Sequence, residues 1–419
     1  MARIAFVILF TAGLIGGFLP WAHAQDDWDR FRGPNGTGLS DAKNIPVEFR
    51  EQHRKWSLAL EGIGHSTPVV ANQTVFVTSA DRDAGKIHLF AVRATDGFLL
   101  WQKSQPFDPF HINTDNSYAS SSPVADAYRV YWLILEEKRT VLTSFTHAGK
   151  QVWQQTFDGP KTRHGSGCSP MIVDDLVVFT LEHEESKSEK SSQWIAIDKN
   201  SGHIRWQLPR NTVTSNSFST PCVLLTNEEK VLIFTSEGHG LAAVRVKDGS
   251  VAWELSDALS ARAISSPVLS GNHVWATRKG ELVAFKGVKG SSPEIAYRLP
   301  AKYSPYVPTP LVKDGLLYNF MDNGYVSCHH AGDGELIWRE KPGGKFYGSP
   351  ICIDDRLYAI TREGDVIVLK TGETFEVLAV NSMGEKSHAT LTLAGDMLIV
   401  RTFSKLFGIA NAGSSTLPE

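Results

Sequence analysis

Short apolar runs separated by turn signals recur along most of this chain, and residues 309–338 show one complete set. This stretch reads TPLVKDGLLYNFMDNGYVSCHHAGDGELIW and contains four runs of strand-forming residues. Asp-Gly pairs at 314–315 and 333–334 and Asp-Asn-Gly at 322–324 separate the runs, and such sequences favour tight turns. The pattern predicts four consecutive antiparallel strands.

A tripeptide that is rich in Ser, Thr or Cys and ends in Pro precedes each set of strands, so the sets of strands can be counted. The tripeptide occurs seven times, at Ser66-Thr67-Pro68, Ser121-Ser122-Pro123, Cys168-Ser169-Pro170, Ser219-Thr220-Pro221, Ser265-Ser266-Pro267, Pro308-Thr309-Pro310 and Gly348-Ser349-Pro350. Pro68 and Pro350 are 282 residues apart, which corresponds to six repeats of about 47 residues, and an eighth, degenerate copy begins near His388. Four strands within a repeat of this length indicate a β-propeller blade.

A second marker closes each set and has its fullest form at residues 196–206, AIDKNSGHIRW. Residues 91–101 and 243–253 keep its Ala, Gly and Trp, residues 328–338 keep the Gly and Trp, and residues 144–153 form a copy one residue shorter. The Gly allows a tight turn before the fourth strand, and the Trp buries a large apolar area against the neighbouring blade. Burying such a side chain stabilises the fold by roughly 2–3 kcal/mol. The predicted blade-docking residues are Trp56, Trp101, Trp153, Trp206, Trp253 and Trp338, with Tyr297 near that place in the fifth repeat and Leu378 in the seventh.

The last repeat supplies only three strands, at residues 391–410, so its fourth strand must come from elsewhere. Trp56 lies twelve residues before Pro68, and Trp338 lies twelve residues before Pro350. The N-terminal strand is therefore expected to complete the last blade and to remove two open sheet edges. The sequence predicts an all-β fold, an eight-bladed β-propeller of four-stranded antiparallel blades, with seven blades as the alternative if the last half-copy does not form.

The marker A-x-D-x-x-[ST]-G-x-x-x-W resembles the tryptophan-docking repeat of the PQQ-like, or quinoprotein-type, propellers over about residues 47–410. That family includes the PQQ-dependent alcohol dehydrogenases and the outer-membrane assembly protein BamB. Residues 28–36, WDRFRGPNG, also look like the segment that opens many exported PQQ-like repeat proteins. The resemblance implies the fold and leaves the activity open, because this superfamily contains both enzymes and proteins without catalytic activity.

Residues 1–24 have the pattern of a secretory signal peptide, with a basic residue, an apolar stretch and a small-x-small cleavage site at Ala22-His23-Ala24. The alternative is an N-terminal membrane anchor, but the apolar run is shorter than a full span. Residues 25–46 are predicted to form an N-terminal arm in which Trp28 and Phe31 pack on the body, residues 47–411 the propeller, and residues 412–419 a C-terminal tail. The protein is expected to be exported to the periplasm or the extracellular space, with no transmembrane segment after signal cleavage.

Charge and cysteine content exclude several classes of function. The chain has 42 Lys and Arg against 45 Asp and Glu, so no overall field attracts nucleic acid. Its four Cys residues are scattered through different repeats, which fits neither a disulfide framework nor a CxxC metal site. They are expected to be small buried apolar residues.

The residues just before each first strand should line one mouth of the central channel, and they are basic, aromatic or hydroxylic. The candidate ligand-binding residues are His65, Tyr118, His164, Asn216, Arg262, Tyr306, Lys345, Tyr347 and His388, together with Ser120, Ser166 and Lys386. This set favours an anion or a polar glycan or peptide over a cation. The alternative is that the Ser and Thr residues satisfy backbone groups while the His and Arg residues are a solvated rim.

The resemblance to quinoproteins implies PQQ held over a calcium ion by carboxylates and an amide, beside two adjacent cysteines. The strand-start residues contain no carboxylate, and the chain has no Cys-Cys pair, whereas calcium needs several oxygen ligands. We therefore expect no catalytic residue, metal site or cofactor, and a binding or scaffold role with a protein, peptide or polar or anionic glycan partner, with BamB-like envelope protein assembly as one version. The alternative is a divergent PQQ-dependent oxidoreductase.

Overall fold

The protein is described from a computed structural model, which places residues 28–160, 164–165, 167–183, 192–210, 218–259 and 261–411. The segments assigned to the signal peptide and the C-terminal tail lie outside these residues. Strands β1 (Leu39–Ser40) and β2 (Arg54–Ala59) precede the first blade. Short 3-10 helices occur at Pro34–Gly36, Glu51–His53, Ser256–Leu259 and Ala301–Tyr303. In the placed ranges, no helix is long and apolar enough to cross a membrane.

Eight antiparallel sheets follow one another around a ring, as the sequence predicts. Blades 1 to 4 are β3–β6 (Val69–Ala71, Thr74–Asp81, Lys86–Arg93, Leu99–Pro106), β7–β10 (Val124–Ala125, Arg129–Leu135, Arg139–Thr146, Gln151–Asp158), β11–β14 (Met171–Val173, Leu176–Leu181, Ser192–Asp198, Ile204–Arg210) and β15–β18 (Cys222–Leu225, Lys230–Ser236, Gly240–Arg245, Val251–Leu255). Blades 5 to 7 are β19–β22 (Val268–Ser270, His273–Arg278, Glu281–Lys286, Glu294–Pro300), β23–β26 (Leu311–Lys313, Leu316–Phe320, Val326–His330, Leu336–Glu340) and β27–β30 (Ile351–Ile353, Arg356–Ile360, Asp365–Lys370, Val377–Ser382), and β31–β33 (Thr392–Ala394, Met397–Arg401, Lys405–Ile409) belong to blade 8.

The two ends of the chain meet in blade 8, which confirms eight blades and rules out seven. β2 pairs antiparallel with β33, and Trp56 lies opposite Gly408. Behind this seam the buried guanidinium of Arg401 donates to the carbonyl oxygen of Ser66, 2.9 Å away, at the start of blade 1. The ring is therefore closed by hydrogen bonds between segments that are hundreds of residues apart in sequence.

A closed circle of hydrogen bonds joins the inner ends of all eight blades. In each blade the Ser or Thr just before the first strand donates its backbone N–H to the hydroxyl oxygen of the equivalent residue in the next blade, at 2.9 to 3.4 Å. These residues, here called the hydroxyl ring, are Thr67, Ser122, Ser169, Thr220, Ser266, Thr309, Ser349 and Thr390. All eight are buried. Buried N–H groups need an acceptor, and the expectation that these side chains satisfy backbone groups agrees with this geometry.

A tryptophan side chain that packs on a glycine joins the outer strands of neighbouring blades. Trp206 is buried, and its Nε1 donates to the Val246 carbonyl of blade 4 at 2.9 Å. Its ring covers Gly249, where an added Cβ would lie 2.7 Å from the indole. Gly249 also has φ of +74°, which favours glycine. The same arrangement occurs at Gly97, Gly149, Gly202 and Gly334, each of which lies under the aromatic residue of the preceding blade.

Four further predicted docking tryptophans adopt related positions. Trp56, Trp101, Trp153 and Trp338 donate to the carbonyl oxygens of Ala94, His147, Lys199 and Gly372 at 2.8, 2.7, 3.0 and 3.1 Å. Trp253 lies in an apolar cluster with Val274 and Val288 of the next blade. Tyr297 replaces the Trp in blade 5, since its hydroxyl donates to the Ala331 carbonyl at 2.9 Å and its ring covers Gly334.

Residues 28–40 of the predicted N-terminal arm cross the central channel. Trp28 is fully buried, and its carbonyl accepts the N–H of Val70 in blade 1. On the other side of the channel β1 pairs in parallel with β27 of blade 7. Between these points the side chain of Asn35 makes two hydrogen bonds, of 2.9 and 2.7 Å, with the backbone of Val223 in blade 4. The arm therefore fills one end of the channel and does not trail from the surface.

Two arginines of the arm are buried in the channel. Arg30 donates to the Pro221 carbonyl at 2.8 Å, and Arg32 donates to the Pro310 carbonyl at 2.9 Å. Both acceptors directly follow a hydroxyl-ring residue along the chain. The arm consequently lies immediately beyond the ring, on the side away from the strand-start residues.

The glycine platform predicts a steric effect that can be separated from backbone strain. We expect Gly249→Ala to lower the free energy of unfolding by about 1–3 kcal/mol more than Gly315→Ala, because a methyl group must displace the Trp206 indole. Gly315 has nearly the same φ, +78° against +74°, but nothing lies within 4 Å of an added Cβ. Urea unfolding of both variants gives the difference, and equal losses of stability would contradict the platform role.

The hydroxyl ring predicts that one oxygen atom matters more than the methyl group beside it. Thr309→Val should lower the free energy of unfolding by about 1–3 kcal/mol, because the buried N–H of Ser266 loses its acceptor. Thr309→Ser keeps the hydroxyl and should cost less than about 1 kcal/mol, for the lost methyl group alone. Thermal unfolding of the two variants measures this order, and the reverse order would show that the hydrogen bond adds nothing.

Candidate functional site

A cavity of about 430 Å³ occupies the channel mouth. All eight residues of the hydroxyl ring line it, and Phe31 of the arm reaches it from the far side. Each ring hydroxyl accepts one N–H and still carries an O–H that can donate. The volume lies within the range of small-molecule pockets. The cavity is therefore a cup: the arm and the ring form its floor, and the strand-start residues form its walls.

Most of the mouth residues predicted from the sequence lie together in this cup. The lining contains His65, Ser120, His164, Arg262, Tyr306, Tyr347 and His388. Tyr118 instead turns its hydroxyl to the carbonyl of Phe110 and packs against Phe107. Lys345 and Lys386 are exposed and do not line the cup. Asn216 and Ser166 lie outside the residues that the structure places.

One wall of the cup is basic and polar. The Arg262 guanidinium donates to Nε2 of His164 at 3.0 Å and to the Tyr306 hydroxyl at 3.3 Å. These three residues precede different blades, so Arg262 bridges across the mouth. The backbone N–H of Tyr306 donates to the carboxylate of Asp322 at 2.7 Å. Burial raises the pKa of Asp322, and the backbone N–H donors oppose that shift.

The opposite wall is aromatic. His388 stacks on Tyr347 with ring centroids 4.3 Å apart and planes at 23°. The His65 ring lies 4.5 Å from His388, and its buried Nδ1 has no hydrogen-bond partner within the ranges that the structure places. Burial, followed by the nearby Arg362, lowers the pKa of His388 to about 4. Burial and the neighbouring His388 also place the pKa of His65 well below 6.5, so both rings are neutral at pH 7.

A loop between blades 1 and 2, residues 107–117 and here called the lid, lies across the mouth. Asp115 forms an ion pair with Arg362 of blade 7. Its carbonyl oxygen is 3.3 Å from Nδ1 of His388 in blade 8. On the other side, Asn116 donates to the His164 carbonyl at 2.8 Å. The lid is thus fixed to three blades that are distant from it in sequence.

The cup contains two carboxylates that are not among the strand-start residues. Asp115 and Asp322 both line the cup. Neither residue precedes a first strand: Asp115 belongs to the lid, and Asp322 opens a turn that the pattern identifies only as a hairpin signal. Arg362 was missed for the same reason, since it lies in the turn between β28 and β29. The length of the segment between β6 and β7 was the one signal that could have drawn attention to the lid.

The residues of the cup do not fit a calcium-held PQQ. Its two carboxylates are already engaged, Asp115 by Arg362 and Asp322 by backbone N–H groups. Among the placed residues, no group of three or more His, Cys, Asp or Glu side chains could hold a metal ion. The four cysteines are buried and lie in separate blades. Burial raises the pKa of Cys222, Cys328 and Cys352, which suits small apolar residues.

Comparison with known proteins gives a family match over part of the chain and one architecture. Residues 117–318 match the family described as outer membrane protein assembly factor BamB. The BamB of Yersinia pestis is 26% identical over 248 residues, which cover 56% of this chain. The match spans 60% of the length of that curated relative.

Two solved structures have the same fold at low sequence identity. The crystal structure of BamB from Moraxella catarrhalis is 14% identical, with a TM-score of 0.61 over 87% of this chain and 99% of that one. The quinohemoprotein alcohol dehydrogenase ADHIIG from Pseudomonas putida HK5 is 13% identical, with a TM-score of 0.65 over 94% of this chain and 81% of that one. Together with the eight blades and their docking motif, these findings show a β-propeller whose residues 117–318 are similar to the family described as outer membrane protein assembly factor BamB.

Proposed function

We propose that this chain is a binding protein that acts as a scaffold in envelope protein assembly, in the manner implied by its similarity to BamB. The observation that carries the proposal is that the arm fills one end of the channel. The opposite mouth contains the cavity described above. Such a propeller presents a single recognition face. A binding role needs no catalytic group, and the mouth provides basic, aromatic and amide side chains suited to recognition.

The periplasm is the location that fits this role. The predicted signal peptide supports export, and the curated relative is named an outer membrane assembly factor. The exposed lysines Lys345 and Lys386 lie beside the mouth, and Arg262 and Arg362 lie within it. This basic rim favours a partner segment that is polar or acidic.

A second candidate function is a divergent PQQ-dependent oxidoreductase. It is favoured by the fold shared with a quinohemoprotein alcohol dehydrogenase and by a cavity on the propeller axis. The engagement of both cup carboxylates argues against it, because calcium prefers several free oxygen ligands.

Photo-crosslinking can locate the partner-binding face. A photoreactive amino acid at Thr114 in the lid, or at Lys345 beside the mouth, should capture a discrete envelope protein in living cells. The matched control is Lys247, which is equally exposed but lies in the turn between β17 and β18, at the far end of the channel. Mass spectrometry of the adducts identifies the partner.

The comparison between the two ends decides the outcome of this experiment. Adducts from the mouth positions and none from Lys247 would support a one-faced scaffold. Equal adducts from both ends, or none from either mouth position, would contradict it.

Titration with PQQ and Ca²⁺ tests the enzyme alternative. We expect no saturable change in quinone absorbance and no reduction of an artificial electron acceptor with alcohols, because the cup offers no free carboxylate set for the calcium ion. Saturable binding with turnover would overturn the scaffold role and establish the oxidoreductase.

A further inference from the structure

The cup combines three kinds of surface that a single small ligand could contact together. One wall is the stacked pair of His388 and Tyr347. The floor is the hydroxyl ring, whose O–H groups can donate to a guest. The lid adds the amides of Asn113 and Asn116. A ligand that fills this space needs one apolar face and many hydroxyl groups around its edge.

This requirement distinguishes a saccharide from a flat aromatic molecule. A pyranose has an apolar face of C–H groups that packs on an aromatic ring, and its hydroxyl groups both donate and accept. An aromatic ligand would cover the ring hydroxyls without offering them acceptors. Since a buried polar group without a partner costs about 1–3 kcal/mol, such a ligand is disfavoured.

Positive charge beneath the floor of the cup favours a negatively charged ligand. Arg32 is fully buried, and its Nε and Nη1 have no hydrogen-bond partner among the described residues. Arg30 is 5% exposed, and among the placed residues neither arginine forms an ion pair. Burial and the neighbouring Arg30 lower the pKa of Arg32 to about 9, which leaves it charged at pH 7. Two buried cations thus lie behind the hydroxyl ring, and Asp29 is the carboxylate that acts on Arg30.

The lid is held at the mouth by a carboxylate that a ligand could replace. Asp115 pairs with Arg362, and the two side chains are 42% and 33% exposed. A solvent-accessible ion pair contributes little net stability, so exchange of one carboxylate for another costs little. The Arg362 guanidinium carbon also lies 5.4 Å from the centroid of the Tyr347 ring.

We propose that the cup binds an acidic saccharide of the hexuronate class. The pyranose ring packs on His388 and Tyr347, its hydroxyl groups bond with the hydroxyl ring and the lid amides, and its carboxylate takes the place of Asp115 on Arg362. Binding therefore releases the lid from blade 7. This inference deepens the proposed binding function and names the ligand class of the cup.

Calorimetric titration of the whole protein with D-glucuronate tests the proposal. We expect saturable binding with a Kd of about 1 mM or tighter. D-Glucose, which lacks the carboxylate, should bind about ten- to a hundredfold more weakly, as expected for loss of a charge-assisted contact. Benzoate, which has the carboxylate on an aromatic ring, should bind no better than D-glucose.

Three variants separate the assigned contacts. Arg362→Gln should weaken D-glucuronate binding about ten- to a hundredfold. Asp115→Asn removes the competing carboxylate and should tighten it several-fold. The control is Arg205→Gln, which removes an exposed pair with Asp175 at the far end of blade 3 and should leave the Kd unchanged. Thermal unfolding of each variant verifies that the propeller is intact.

Three results would overturn the proposal: no saturation by D-glucuronate, equal affinity for D-glucose, or weaker binding by Asp115→Asn. Tighter binding of benzoate would replace the saccharide with an aromatic acid and would also overturn it. The crosslinking at Thr114 and Lys345 is measured without a saccharide, so failure of the cup as a saccharide site is distinguishable from failure of the scaffold role.

Discussion

The inner circle of hydrogen bonds is the constraint on which the rest of this propeller depends. The first strand of each blade is only two to four residues long, so ladder bonds alone hold the centre weakly. Eight N–H groups meet there, buried, and each is satisfied by a hydroxyl from the next blade. Because every blade both donates and accepts, the arrangement is complete only when the ring is closed. A missing blade would leave a buried donor without an acceptor, which is costly.

The outer strands of neighbouring blades are held together by a different contact, made by a large aromatic side chain. Blades diverge away from the axis, so a large side chain is needed to fill the gap between them. At several of these gaps the next blade offers a glycine on which the indole packs, as Gly249 does for Trp206. The hydroxyl ring near the axis and the docking aromatic residues at the outer strands thus both fix the spacing between blades. The blade formed by β2 and β31–β33 takes part in both sets of contacts. It is therefore held like the other blades, although its strands come from the two ends of the chain.

The repeat architecture could be predicted because its determinants are local and periodic. Pro-terminated tripeptides and Gly-to-Trp spacings are readable from the printed sequence, and they led to eight blades and to the place of Trp56. The cup could be predicted only in part, because some of its determinants are neither local nor periodic in the sequence. Strand-start residues such as Arg262 and His388 follow the repeat and were found, whereas the contact of Asp115 with Arg362 joins residues 247 positions apart. No spacing rule reveals such a pair.

The arm shows how a non-repeated segment gives a symmetric ring a direction. A bare propeller channel is open at both ends, and its eight ring positions are nearly equivalent. Arg30 and Arg32 remove that equivalence, because they bond to the carbonyl oxygens of three particular blades and bring positive charge to one side of the ring. Neither arginine forms an ion pair within the part of the chain that the structure describes, and carbonyl dipoles offset the cost of burying them only in part. A neutral plug of the same shape would seal the channel at lower cost. The charge is therefore best explained by what it does to the space in front of it, where it makes the floor of the cup attractive to an anion that enters from the mouth.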